Sequence, residues 1–160
     1  YNDASNEWTQ LYGFGGNKRK DAAVFVINDK AYIGTGIQNG AYQNDFYEFD
    51  GNSETWTRLK DLDDEDEDYT ILLANGVGFS LNGLGYIATG DASGVSNNTW
   101  EYNPATDTWD DRPDFEGTPR QDAVAFSFSD KAFVLMGRSG GYYFDDIWEY
   151  RPDEENDEDD

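Results

Sequence analysis

Asp45-Phe46-Tyr47-Glu48-Phe49-Asp50, followed after a short polar gap by Thr55-Trp56, is the stretch on which the reading of this chain turns. It recurs as Thr99-Trp100-Glu101-Tyr102-Asn103 with Thr108-Trp109. A third copy, Ile147-Trp148-Glu149-Tyr150, lacks the closing tryptophan, and a worn one, Tyr1-Asn2-Asp3 with Glu7-Trp8, opens the chain. In both complete copies an aromatic precedes the tryptophan by nine positions, Tyr47 before Trp56 and Trp100 before Trp109. Within the motif, Tyr47 and Phe49 alternate with Phe46 and Glu48, the period of a strand rather than of a helix.

Two further series repeat around it. Lys30-Ala31-Tyr32-Ile33-Gly34-Thr35-Gly36 aligns with Leu84-Gly85-Tyr86-Ile87-Ala88-Thr89-Gly90 and Lys131-Ala132-Phe133-Val134-Leu135-Met136-Gly137. Upstream, Asp21-Ala22-Ala23-Val24-Phe25-Val26 aligns with Asn75-Gly76-Val77-Gly78-Phe79-Ser80 and Asp122-Ala123-Val124-Ala125-Phe126-Ser127. The closing glycines are 54 and then 47 residues apart; Trp8, Trp56 and Trp109 are 48 and then 53 apart. Each unit reads as four short strands: an apolar strand a, a turn at Asn28-Asp29, a strand b ending at glycine, an alternating strand c and a strand d with the tryptophan. The fold class expected is all-β.

The composition fits a folded domain. The chain has 160 residues, 28% of them charged, yet five Trp, eleven Tyr and ten Phe supply a large apolar payload. Each well-buried aromatic contributes roughly 1.5–3 kcal/mol before entropy is counted. Net charge is -23, which argues against nucleic acid, because phosphate contacts need clustered Lys and Arg. Asp61 to Asp68 and Asp153 to Asp160 hold 14 of the 34 acids, leaving 20 against 11 bases in the body. With no Cys and no His, thiol nucleophiles, His-based triads and ordinary zinc or copper sites have no residues to use. No apolar run approaches the ~20 residues of a membrane helix.

These residues resemble the kelch repeat of β-propellers, in the bacterial galactose-oxidase-like group, over nearly the whole chain. The period near 50 residues, the apolar strand ending in glycine, the aromatic and the later tryptophan carry the resemblance. Gly36, Gly90 and Gly137 match the second glycine of the kelch doublet, while Thr35, Thr89 and Met136 replace the first. The resemblance implies a propeller of four-stranded antiparallel blades, about three in this chain. Residues 1–16 then supply the last strand of a preceding blade, and 17–60 and 75–117 are blades around an acidic inserted loop at 61–74. Residues 118–151 hold three strands of a terminal blade, and 152–160 form an acidic tail. Three blades are too few to close a ring. The expected arc is completed by upstream blades, or by a second copy whose Trp8 strand fills the terminal blade.

In that geometry the d–a and b–c loops share one face of the disc, the usual ligand face. Trp8 to Asp21 and Trp109 to Asp122 are both 13 residues, whereas Trp56 to Asn75 is 19, so one d–a loop carries six extra residues. It reads either as a solvated acidic insertion or as a loop for a partner or Ca²⁺, with Asp63, Asp64, Asp66 and Asp68 as the candidate ligands. It lacks the glycine-centred EF-hand spacing. Arg19 and Arg120, at equivalent positions before strand a, either line the channel mouth and bind a carboxylate or sugar acid, or pair with an Asp of a neighbouring blade. The b–c loops add Tyr42 and Asn44, Ser93 to Asn98, and then Arg138, Tyr142 and Tyr143, the least repeat-like cluster. Aromatics beside arginine are typical of binding hot spots. Glu48, Glu101 and Glu149 recur in strand c; one such Glu serves acid–base chemistry in kelch-type sugar epimerases, but three equivalent copies suggest pairing with the adjacent blade.

The function expected is therefore a non-catalytic module that binds a protein or glycan in an extracytoplasmic bacterial protein, at the periplasm or cell surface. The alternative is a kelch-type sugar epimerase or mutarotase using Arg and Glu near the channel. A galactose-oxidase-like copper enzyme lacks its Cys and His counterparts here.

Overall fold

The computed structural model describes residues 1–64 and 69–152. Among them there is no helix, and every strand pairing is antiparallel. In chain order, β1 (Ala23–Ile27) and β2 (Lys30–Gly34) form a hairpin, and β3 (Ile37–Gln38) and β4 (Ala41–Tyr42) a small ribbon. β5 (Tyr47–Asp50) and β6 (Thr55–Arg58) then complete a first sheet of order β1-β2-β5-β6. A second ribbon pairs β7 (Asp63–Asp64) with β8 (Tyr69–Thr70). The second sheet holds β9 (Val77–Leu81), β10 (Leu84–Asp91), β11 (Val95–Asn103) and β12 (Thr108–Arg112) in the same order. The third has three strands, β13 (Val124–Phe128), β14 (Lys131–Leu135) and β17 (Ile147–Tyr150), with the ribbon β15 (Arg138–Ser139) and β16 (Tyr142–Tyr143) between the last two.

Local chemistry explains the hairpins. Ile27 pairs with Lys30 across a two-residue loop, and Asn28 and Asp29 have φ of 48° and 64°. Leu81 pairs with Leu84 across Asn82 and Gly83, at 53° and 82°. Two successive left-handed residues make the turn whose twist matches that of the strands, and Asn, Asp and Gly tolerate it best.

The sheets stack side by side, with β9 lying between β1 and β13. Close approach there depends on glycine. A Cβ on Gly78 would stand 2.3 Å from the Val24 carbonyl oxygen, and one on Gly85 would stand 2.1 Å from the Phe25 ring. Between the first two sheets lies one core: Ala23, Phe25, Ile27, Tyr32 and Phe46 against Ile87, Tyr102 and Trp109. Between the second and third lies another: Val77, Phe79, Leu81, Tyr86 and Ala88 against Ala132 and Val134. The alternation of each strand thus serves two cores in the middle sheet, one on each face.

A repeated backbone ladder ties the sheets at their inner end. Asp21, Asn75 and Asp122 all have φ near the left-handed region, at 60°, 57° and 57°. Asn75 N–H donates to the Asp21 carbonyl and Asp122 N–H to the Asn75 carbonyl, both at 3.0 Å. Gly36 N–H donates to Leu73, and Gly90 N–H to Arg120, at 2.8 Å each. Gly36, Gly90 and Gly137 have φ of 86°, 110° and 91°, which a side chain adopts only under strain.

Four expectations are corrected. Residues 1–16 form no strand; Asn2 and Glu7 make an isolated bridge, and Trp8 is 84% exposed, because among the described residues no strand lies beside that segment to pair with it. The 61–74 insertion is not simply a solvated loop: Leu62, Tyr69, Ile71 and Leu73 are buried in the first core, since its apolar residues flank the acidic run. The middle b–c connection is a turn shorter than Ser93 to Asn98, because β10 and β11 run on as a bulged ladder through Gly90↔Ser96 and Asp91↔Val95. The recurring glutamates pair within their own sheet rather than with the next, because the flanking strands place a cation within reach on the same sheet: Lys30 for Glu48, Arg112 for Glu101 and Lys131 for Glu149.

Candidate functional site

The inner-end segments and the ribbons meet on one face. Lys20 bridges Ile37, Ala74 bridges Asp91, and Gln121 bridges Arg138, so each sheet's entry lies beside the residue that follows its left-handed glycine. Tyr42, at the end of β4, reaches across to the second sheet: its hydroxyl donates to Asp91 Oδ1 at 3.1 Å and accepts from Ser93 N–H at 3.0 Å. Asp91 Oδ1 also takes the Gly94 N–H at 3.1 Å. With the Gln121 amide oriented to satisfy both its ends, it donates to Asp91 Oδ2 at 3.2 Å and accepts from Arg138. Arg138 Nε donates to Asp122 at 2.6 Å. A polar chain, Tyr42–Asp91–Gln121–Arg138–Asp122, therefore spans all three sheets.

At one end of that chain the ribbon β15–β16 presents Tyr142 and Tyr143, which are 79% and 82% exposed. Arg138 opposes Tyr143 in the ribbon register and also donates to the Gly140 carbonyl at 3.4 Å. Two open aromatic rings on an anchored ribbon have the chemistry for stacking and apolar contact, at low entropic cost per ring.

The two earlier arginines do something else. Arg19, with 4% of its side chain exposed, donates to Asp45, to the Thr35 carbonyl at 3.0 Å and to the Asn17 carbonyl at 3.2 Å. Arg120, with none of its side chain exposed, donates to Asp146 at 2.5 and 2.8 Å, to the Met136 carbonyl at 2.9 Å and to the Thr118 carbonyl at 3.0 Å. Its guanidinium lies 4.8 Å from the Phe115 ring centroid and 4.2 Å from that of Phe144. The charge-assisted bonds from Arg120 hold the Asp146 carboxyl below its usual range. Both arginines are thus turned inward to the acid 26 residues ahead, Asp45 or Asp146, and offer no free face to a ligand.

The strand-c glutamates are likewise engaged. Glu48 accepts from Lys30 Nζ at 2.7 Å and from the Tyr32 hydroxyl at 2.9 Å. Glu101 accepts from the Tyr86 hydroxyl at 2.6 Å and from Arg112. Glu149 lies 3.2 Å from Lys131 Nζ. Burial, with the acceptor carboxylate beside it, raises the phenol pKa of Tyr32 and Tyr86 well above normal, so both hydroxyls stay protonated donors.

Asp63 accepts from Thr70 Oγ1 at 3.2 Å across the ribbon β7–β8. Asp66 and Asp68 lie outside the described residues. Among the described residues no group of three or more acidic side chains converges as a metal site requires, and no helix is long and apolar enough to cross a membrane.

Asp91 and Gln121, which join the sheets, carry no sequence signal of that role. Each is the unremarkable neighbour of a repeat glycine or a repeat Asp, and only the stacking brings them together. Compared with known proteins, the chain matches no family model and no curated protein.

Proposed function

We propose that this chain is an arc of a kelch-type β-propeller, each sheet a blade, and that it serves as a non-catalytic recognition module for a protein or glycan in an extracytoplasmic bacterial protein. What carries the binding reading is the β15–β16 ribbon: Tyr142 and Tyr143 stand open to solvent on a base held by Arg138, Asp122 and Gln121. What supports the propeller is the repeated sheet order, with equivalent left-handed glycines and the same backbone ladder between neighbours. Against the sugar-isomerising alternative stands the engagement of Arg19, Arg120, Glu48 and Glu101 in ion pairs of their own sheets.

Aromatic rings stacked on sugar or on peptide use the same chemistry, so the test has two arms. Wild-type chain and a Tyr142→Ala/Tyr143→Ala variant are applied in parallel to an oligosaccharide array and to a displayed-peptide array. The expected result is a signal on one array that the variant lowers by at least roughly tenfold, the loss of about 1.4 kcal/mol. Signals that the variant leaves intact, or no signal on either array, would overturn the reading.

A further inference from the structure

Among the described residues the third sheet stops at β17, where the first two sheets each have a fourth strand. Beside β17 lies a cavity of about 290 Å³ between the second and third sheets, lined in part by Phe79, Thr99 and Tyr150. By repeat position these correspond to Phe25, Phe46 and Tyr102 one sheet earlier. There the three residues surround Trp109 of β12, with ring centroids 6.3, 5.3 and 5.0 Å away. The cavity thus stands where the preceding interface holds an indole.

One tryptophan of the chain is taken up by no sheet. Trp8 leans on the Tyr1 ring, at 5.3 Å between centroids, in a segment without strand. It precedes β1 by 15 residues, as Trp109 precedes β13 by 15. Trp109 belongs to the sheet that packs against β13. By the same spacing, a Trp8 strand belongs to a sheet packed against β1.

The two outer faces are complementary by the chain's own rule. On the third sheet, Val124, Phe126, Phe128 and Ile147 are exposed. The equivalent Val77, Phe79 and Leu81 of the second sheet are buried under the third. On the first sheet, Val24 and Val26 are exposed, at the positions of Gly78 and Ser80, which the second sheet turns toward the first.

We propose that copies of this chain associate head to tail. The first sheet of one copy covers the third sheet of another, its Trp8 segment pairs antiparallel with the free edge of β17, and the indole enters the cavity. Strand addition satisfies the edge donors and acceptors of β17, and the aromatic pocket sets the register. The contact is heterologous, so it either closes into a ring or propagates. It uses neither Tyr142 nor Tyr143, so its failure leaves the recognition reading standing.

Sedimentation equilibrium of the 160-residue chain over a range of concentrations tests it. The expected species is a multiple of the 18.1 kDa protomer. Association should weaken by at least roughly tenfold in Trp8→Ala, whose far-UV circular dichroism as a dilute protomer matches wild type because Trp8 is exposed there, and in Phe126→Asp on the opposite face. Tryptophan emission should shift to the blue on association in wild type and not in Trp8→Ala. A wild-type mass of 18.1 kDa at every concentration, or association that Trp8→Ala leaves unaltered, overturns the proposal.

Discussion

Arg120 and Asp146, 26 residues apart, form a two-pronged ion pair in which the guanidinium is wholly buried between the rings of Phe115 and Phe144. Arg19 and Asp45 repeat the pair at the same spacing. In the middle sheet the equivalent positions are Leu73, buried, and Asn98, exposed, so the chain contains an uncharged version of its own ion pair.

That comparison yields a prediction. Arg120→Ala leaves the half-buried Asp146 carboxylate without its partner and opens a void between the rings of Phe115 and Phe144, and should lower stability by about 1–3 kcal/mol. Arg120→Leu combined with Asp146→Asn, copying the middle sheet, should recover most of that loss. Urea unfolding of the three proteins at constant pH measures both.

The same pair sets an acid limit. The Asp146 pKa is lowered in the folded state by Arg120, so between that value and the unfolded carboxyl value the unfolded chain binds more protons. Stability from this group is fully present above the unfolded value of about 3.9 and is lost as pH falls through the folded one. Asp146→Asn should therefore flatten the acid side of a stability-versus-pH curve, read from thermal midpoints between roughly pH 2 and 6.

Asp114 has the opposite sign. Burial beside the cavity, with Asp111 nearby, raises its pKa, so the folded chain binds the proton more tightly. Its stabilising share is present below the unfolded carboxyl value and is lost as pH rises through the folded one. Asp114→Asn should stabilise the protein at pH 7, an advantage that disappears in acid, as paired thermal melts at the two pH values would show.

Trp109 is the anchor of the first core, in contact with Phe25, Phe46 and Tyr102. Trp109→Ala should cost about 3–5 kcal/mol by transfer and cavity terms together. Trp8→Ala, under dilute conditions where the chain is a protomer, should cost almost nothing. Chemical denaturation of both at low concentration distinguishes the anchored indole from the exposed one.

Thr35 and Thr89 share a left-handed φ of 60° and replace a glycine in the repeat pattern. Thr35 Oγ1 accepts the Ala23 N–H at 3.0 Å, whereas Thr89 Oγ1 is buried without a partner. Both lose strain on changing to glycine, but only Thr35 also loses a hydrogen bond, worth about 1 kcal/mol net. Thr89→Gly should therefore be the more stable variant by about that amount in parallel denaturation curves.

The repeat made much of the fold legible. Alternation in Tyr47–Asp50, the Asn28-Asp29 turn and the closing glycines are local requirements, each met by the backbone a few residues away, so residue types mark them directly. The face proposed for binding was legible only in part. Tyr142 and Tyr143 stand out because they break the repeat, and they are exposed. Arg19 and Arg120 looked equally available, yet their charge is spent on Asp45 and Asp146; a side chain's direction is set by what packs around it, not by its type.

What the sequence by itself determined is the unit: four short strands, their order, their turns and the aromatic face of each, because these rest on periodicity and backbone sterics. What only the tertiary structure decided is how units meet. The Tyr42–Asp91–Gln121–Arg138 chain, the burial of Leu62 and Ile71 from an acidic insertion, and the cavity beside β17 all arise from contacts between residues far apart in sequence. Burial and hydrogen-bond partners depend on the stacking of one sheet on the next, which no local pattern encodes.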